Sequence, residues 1–224
     1  MTRLVDQSGK RHERILLAMP CGDQINAGTT YDLAALAGYE GGREIALMLD
    51  RDTLLPAQRA RLVEHALATN ASHILWIDSD MRFPKDALTR LLAHEQDIVA
   101  ANYTRRRAPH LPTAEDRVKG YLFDSLTGTG LIEVGHAGMG LMLTNTIVFE
   151  TIKRPWFAVG YDPKGNTYGG EDVFFCRQAQ KNGFPVMIDT DLSKVVQHVG
   201  ELPFTLAHAN LTRDAVNAAK AAQG

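Results

Sequence analysis

The chain has 224 residues, 45% hydrophobic and 22% charged, which suits one globular domain with a core that is stable alone. A net charge of −2 and a pI near 6.4 exclude an overall basic field that would draw nucleic acid or an anionic membrane. Two cysteines, Cys21 and Cys176, make no disulfide framework; with neither an apolar run of about 18 residues nor a signal-peptide core, a soluble cytoplasmic protein with reduced thiols is expected.

After a polar start, Ile15 to Pro20 reads as a buried strand stopped by its proline and followed by Cys21-Gly22-Asp23. Thr29 to Tyr39 carries helical spacing, capped by Thr29 or Thr30 and ended by Gly41-Gly42. Glu44 to Leu49 is a second strand, ending at Asp50-Arg51-Asp52. Leu55 to Thr69 is an amphipathic helix with Pro56 in its first turn and one apolar stripe of Leu62, Val63, Ala66 and Leu67. A third strand, His73 to Ile77, stops at Asp78-Ser79-Asp80 before Pro84. This β-α-β-α-β order is the signature of a mostly parallel sheet covered by helices, in which ligands bind beyond the carboxyl ends of the strands. Three strand ends, at Cys21, Asp50 and Asp78, are therefore expected to face one crevice.

Lys85 to His94 is read as a helix and Asp97 to Ala101 as a strand that runs into Arg105-Arg106-Arg107. That triplet is either a solvated surface feature or a grip on a pyrophosphate or an acidic acceptor. Short strand-like pieces follow at Gly120 to Phe123 and Gly130 to Glu133. Glycines 135, 138 and 140 precede an apolar strand and imply a backbone that passes close to another backbone or to a ligand. Asn145 to Ile152 fits a short helix, and Val159 to Gly170 reads as a loop resembling a movable flap. Trp156, Phe157, Tyr161 and Tyr168 either stack on a sugar or base or anchor that loop to the core. Glu171-Asp172 opens a helix, where acidic residues favour the positive end of the dipole. Val186 to Ile188 is a strand, Val195 to His198 a β-like run, and about Thr212 to Ala222 a helix suited to docking on the domain or on a second subunit.

Two carboxylates spaced i, i+2 at a strand exit suit a hard divalent ion, one binding it directly and the other through water or phosphate; an ordinary Asx turn is the simpler account. Taken with the order apolar strand, Asp78-Ser79-Asp80, Met81-Arg82-Phe83-Pro84 and helix, the segment resembles the metal-binding Asp-x-Asp segment of GT-A fold glycosyltransferases, of the family-2-like or mannan-polymerase-like kind. Gly169-Gly170-Glu171-Asp172 resembles the acidic acceptor-side motif of those enzymes, and His198-Val199-Gly200 the returning histidine. The resemblance spans about residues 13 to 200 and implies a single transferase domain, 1–224, of Rossmann-like α/β architecture.

It further implies that a Mn²⁺ or Mg²⁺ ion is held by Asp80 and His198 with Asp78 beside it, and that the donor is a nucleoside-diphosphate sugar. Pro20, Cys21, Asp50, Asp78, Ser79, His136 and Gly138 then fall on the donor side, with Asp52 a rival to Asp50. The simpler account of His136 is a hydrogen-bonded residue of a packed turn. Asp172, with Glu171 as alternate, takes the role of general base on the acceptor hydroxyl in an inverting transfer. The acceptor is left open among glycan, protein, small molecule and modified nucleic acid, and a homo-oligomer is compatible. A retaining transferase, a nucleotidyltransferase and an inactive nucleotide-sugar-binding protein are the alternatives. The nucleotidyltransferase lacks its usual glycine-rich basic loop, and no Gly-x-Gly-x-x-Gly or Walker-type loop occurs.

Overall fold

The computed structural model describes residues 13–106, 110–116, 120–122, 127–163 and 166–200. The C-terminal helix expected near Thr212 and the residue Arg107 lie outside them. In chain order the strands are β1 (Arg14–Cys21), β2 (Glu44–Arg51), β3 (His73–Ile77), β4 (Met81–Arg82), β5 (Ile98–Ala100), β6 (Glu115–Asp116), β7 (Gly120–Tyr121), β8 (Leu131–Val134), β9 (Leu141–Asn145), β10 (Gly160–Asp162), β11 (Thr167–Gly169), β12 (Val186–Asp189) and β13 (Gln197–His198). The helices are α1 (Ala27–Tyr39), α2 (Leu55–Ala68), α3 (Ala87–Ala93), α4 (Ile147–Thr151), α5 (Glu171–Lys181) and α6 (Thr190–Ser193).

Seven strands form the central sheet in the order β2-β1-β3-β9-β5-β12-β8. β2, β1 and β3 are parallel neighbours, as are β5 and β12; β9 runs antiparallel between β3 and β5, and β8 is antiparallel to β12. The mostly parallel α/β sheet expected from the sequence is thus present. Its central strands are nearly continuous apolar runs because both faces are covered. Along β1, Leu16 and Ala18 meet the layer of α2, α4 and α5, built from Leu62, Val63, Ala66, Phe149 and Phe175. Ile15, Leu17 and Met19 point the other way, toward Leu33 and Leu36 of α1 and Leu88 and Leu91 of α3. Each large side chain so buried stabilises the fold by roughly 1.5–3 kcal/mol.

Several boundaries differ from the sequence expectation. Pro20 does not end β1: the strand continues to Cys21, with Pro20 opposite Asp50 of β2. Helix α1 starts earlier than Thr29, because the Asn26 side-chain oxygen accepts the Gly28 N–H at 2.8 Å and caps it. Thr29 is instead buried in the first turn. The stretch read as a loop from Val159 to Gly170 contains the hairpin β10–β11, in which Tyr161 lies opposite Tyr168.

Register brings the three strand ends to one side of the sheet. Ala18 pairs with Trp76 and Cys21 with Arg51, so the ends of β1, β2 and β3 emerge at one edge of the sheet, with β5 running the same way. Beyond that edge, β4 pairs with β13, placing His198 opposite Met81 and next to Asp80.

Candidate functional site

Asp80 and His198 face each other across this short β4–β13 ladder. His198 Nε2 lies 3.3 Å from Asp80 Oδ1, and the Val199 amide donates to the Asp80 carbonyl at 2.8 Å. The other ring nitrogen, Nδ1, is 3.0 Å from the Thr104 carbonyl. A carbonyl only accepts, so Nδ1 carries the proton and Nε2 is turned to the carboxylate. The second Asp80 oxygen is taken by Arg106 Nη1 at 2.8 Å. Burial alone pushes the Asp80 carboxyl up, but the hydrogen bond and charge of His198 and the Arg106 guanidinium outweigh it and hold Asp80 below the ordinary carboxylate range. Burial pulls His198 down, and the Asp80 carboxylate with the Thr104 carbonyl more than reverses that.

These residues line a cleft of about 890 Å³, within the size range of small-molecule sites. Ser79, Thr104, Arg105 and His110 also line it, as do residues 24–26 after β1. The Asn26 amide donates to the Ser79 carbonyl at 2.8 Å, tying the first loop to the Asp78-Ser79-Asp80 turn.

Asp78 points away from Asp80 toward a second group of charges. Its Oδ1 accepts from Arg59 Nη2 at 3.0 Å, and Arg59 Nε donates to Glu171 Oε1 at 3.2 Å. Arg59 is 1% exposed, lies over the Trp76 ring at 5.5 Å, and has Nη1 buried with no partner. A buried arginine is stable only when its charge is matched, and Asp78 and Glu171 match it. Burial pushes the Glu171 carboxyl up, with Arg59 offsetting only part of the effect. Asp172 next to it is likewise pushed up by burial, and its Oδ1 accepts the Val173 N–H at 2.7 Å. That conformation needs Gly170, since a side chain there would start 2.3 Å from Asp172 Oδ1. Glu171 is therefore committed to Arg59, while Asp172 is held by main chain alone among the described residues.

Tyr103 closes the site from the β5 side. Its buried hydroxyl accepts the Gly140 N–H at 2.8 Å, and its ring meets His198 edge-on at 5.2 Å. Burial, then the charges of Asp78 and Asp172, push its phenol well above the ordinary value, so it is neutral at working pH. The close approach expected at the glycines is to this residue. A Cβ at Gly138 or at Gly140 would stand 2.6 Å from the Tyr103 oxygen, and the one at Gly140 also 3.1 Å from Asp78 Oδ2.

The other expected residues are distributed less tightly. Asp50 is held bidentately by Arg61 at 2.6 and 2.8 Å, with Asp52 on the same guanidinium, and the Cys21 and Asp50 carbonyls share the Gln58 amide. Pro20, Cys21 and Asp50 sit at the correct strand ends but do not line the cleft of Asp80. His136 forms a main-chain bridge with Glu115, and burial holds its imidazole below the usual value, which fits a packed-turn residue. Trp156 and Phe157 are core residues packed on Phe149, whereas Tyr161 and Tyr168 are exposed and meet each other at a tilt, ring centres 5.2 Å apart. Arg105 lies over Tyr121.

The sequence reading missed Arg59 and Tyr103. A signal for Arg59 was available, since positions 59, 62, 63 and 66 form one helical stripe and a charge on that stripe requires a buried partner. Tyr103, in an irregular segment, gave none.

A divalent cation fits the Asp80–His198 pair. Two neighbouring ligands of an octahedral ion with bonds of about 2.1 Å stand about 3 Å apart, close to the 3.3 Å observed, and a ligating histidine characteristically donates its other N–H to a carbonyl. Among the described residues no three potential ligand side chains come together, so an ion here would draw its remaining ligands from water and substrate.

The sequence matches no protein-family model and no curated protein. Solved structures do resemble it. A197 from STIV superposes with a TM-score of 0.57 at 18% identity, covering 84% of this chain and 86% of that one. GalNAc-T7, crystallised with UDP, GalNAc and Mn²⁺, superposes with a TM-score of 0.55 at 11% identity, over 85% of this chain and 44% of that chain, so the present chain spans less than half its length. At such identities the likeness concerns architecture, and it gives this chain a GT-A-like fold.

Proposed function

We propose that the chain is a metal-dependent glycosyltransferase that moves a sugar from a nucleoside-diphosphate sugar to an acceptor hydroxyl, with Asp172 as general base and inversion at the sugar. The observation that carries this reading is that the turn beyond the end of β3 sends Asp80 to His198 in the cleft and Asp78 to an Arg59–Glu171 bridge that reaches the helix bearing Asp172. The likeness to GalNAc-T7, a structure holding UDP, GalNAc and Mn²⁺, supports it.

Mn²⁺ or Mg²⁺ held by Asp80 and His198 would supply positive charge against the leaving diphosphate. Arg59 fixes the directions of Asp78 and Glu171, so donor-side and acceptor-side carboxylates are set by one rigid group. Asp172, uncommitted to Arg59 and pushed up by burial, accepts the acceptor's hydroxyl proton as that oxygen bonds to the sugar carbon and the sugar–phosphate bond breaks. Tyr103, buried and neutral, adds no charge beside these groups.

The test is thermal unfolding with a panel of nucleoside diphosphates and nucleotide sugars, with Mn²⁺ and with chelator. A ligand at about 100 times its Kd adds roughly 2.7 kcal/mol, a rise of about 5–10 °C for a chain of this size. The expected outcome is such a rise with one nucleotide, dependent on Mn²⁺ and lost in Asp80→Ala. No rise with any of them, or an undiminished rise in Asp80→Ala, refutes the donor site.

A further inference from the structure

The cleft carries a cation of its own. Among the described residues lining it, Asp80 is the sole carboxylate, against the guanidiniums of Arg105 and Arg106. Arg106 Nη1 holds Asp80 Oδ2 at 2.8 Å and stands 3.5 Å from the Val199 carbonyl. The rest of its donor fork has no protein partner among the described residues. Its aliphatic stem rests on Gly200, where a Cβ would come within 3.2 Å of Cδ, and half of its side chain is open to solvent. Arg106 is thus seated but not locked.

A divalent ion taking His198 Nε2 and Asp80 Oδ1 would lie on the carboxylate that Arg106 already neutralises. Two cations on one half-buried carboxylate repel, and the more mobile one yields. The guanidinium then has its planar N–H fork free in a cleft otherwise poor in negative charge, the geometry that suits bidentate contact with phosphate oxygens.

We propose that Arg106 alternates between two anions: Asp80 in the metal-free protein, and the diphosphate of the nucleotide once a divalent cation has taken Asp80. The proposal rests on the metal-dependent donor site proposed above. It makes Arg106 a competitor of the metal in the free protein and a partner of the substrate in the loaded one, so its removal moves the two affinities in opposite directions.

Two titrations test this. Mn²⁺ alone is titrated by electron paramagnetic resonance, and inorganic pyrophosphate at saturating Mn²⁺ by calorimetry, for wild type, Arg106→Gln, Arg106→Lys and Asp80→Asn. Arg106→Gln is expected to bind Mn²⁺ about threefold or more tighter than wild type, from loss of the competing ion pair. It is expected to bind pyrophosphate about tenfold or more weaker, from loss of a charge-assisted contact. Arg106→Lys keeps the charge, so its Mn²⁺ affinity stays within about twofold of wild type. Mn²⁺ binding that needs Asp80 but is unchanged or weaker in Arg106→Gln overturns the role of Arg106 and leaves the metal site standing, as does unchanged pyrophosphate affinity. Absence of Mn²⁺ binding in wild type and in Arg106→Gln, with and without pyrophosphate, removes the metal site and this proposal together.

Discussion

Replacing Arg59 with methionine tests the bridge that joins the two halves of the site. The Arg59 side chain is 2% exposed and is the cation between Asp78 and Glu171, whose side chains are 29% and 12% exposed. Removing one member of a buried charge network costs about 3–5 kcal/mol, because the remaining charges are left uncompensated. Water reaches Asp78, and methionine fills the volume while removing the orphaned Nη1, so the lower end applies: about 3 kcal/mol. For a chain of this length that lowers Tm by about 6–12 °C at pH 7. The double variant Arg59→Met/Glu171→Gln recovers part of the loss, since one stranded charge is neutralised. Thermal unfolding of the three proteins at pH 7 measures this, with nucleotide-induced stabilisation as a second readout of Asp78 positioning. An Arg59→Met protein as stable as wild type, or a double variant no better than the single, would show that Arg59 does not hold these carboxylates.

Asp172→Asn is expected to lower turnover by about 10²–10⁴-fold with donor binding retained, the size of a lost general base; wild-type turnover removes the assignment. Because burial raises the Asp172 carboxyl above its ordinary value near 3.8, the fold favours the protonated form. That contribution is complete below the ordinary value and is lost as pH rises through the raised one. Wild type at neutral pH therefore carries the cost of an ionised, buried Asp172, and Asp172→Asn should melt higher at pH 7, with the advantage vanishing at acidic pH. The acidic limb of the wild-type pH–rate profile should correspondingly lie above the ordinary aspartate range. Gly140→Ala forces a methyl against Tyr103 and Asp78 and should cost about 1–3 kcal/mol in thermal unfolding, accompanied by weaker nucleotide binding; a neutral effect on both would mean that Tyr103 yields freely.

The order of elements was legible because it rests on local periodicity. Short apolar runs alternate with 3.6-period stripes, and such an order permits few arrangements besides a covered, mostly parallel sheet. From that order alone it follows that Cys21, Asp50 and Asp78 leave the sheet at one edge. The pairing of Asp80 with His198, 118 positions later in the numbering, was suggested by resemblance, and its geometry comes from the antiparallel β4–β13 ladder. What the chain order does not encode is which charged side chains turn inward. Arg61 and Arg59 stand two residues apart on α2, yet Arg61 reaches out to Asp50 and Asp52 while Arg59 is buried between Asp78 and Glu171. That partition depends on how α2 is rotated against the sheet and on where α5 begins. The two glycines under Tyr103 are of the same kind: the sequence signals a close approach, and only long-range packing supplies the side chain that approaches.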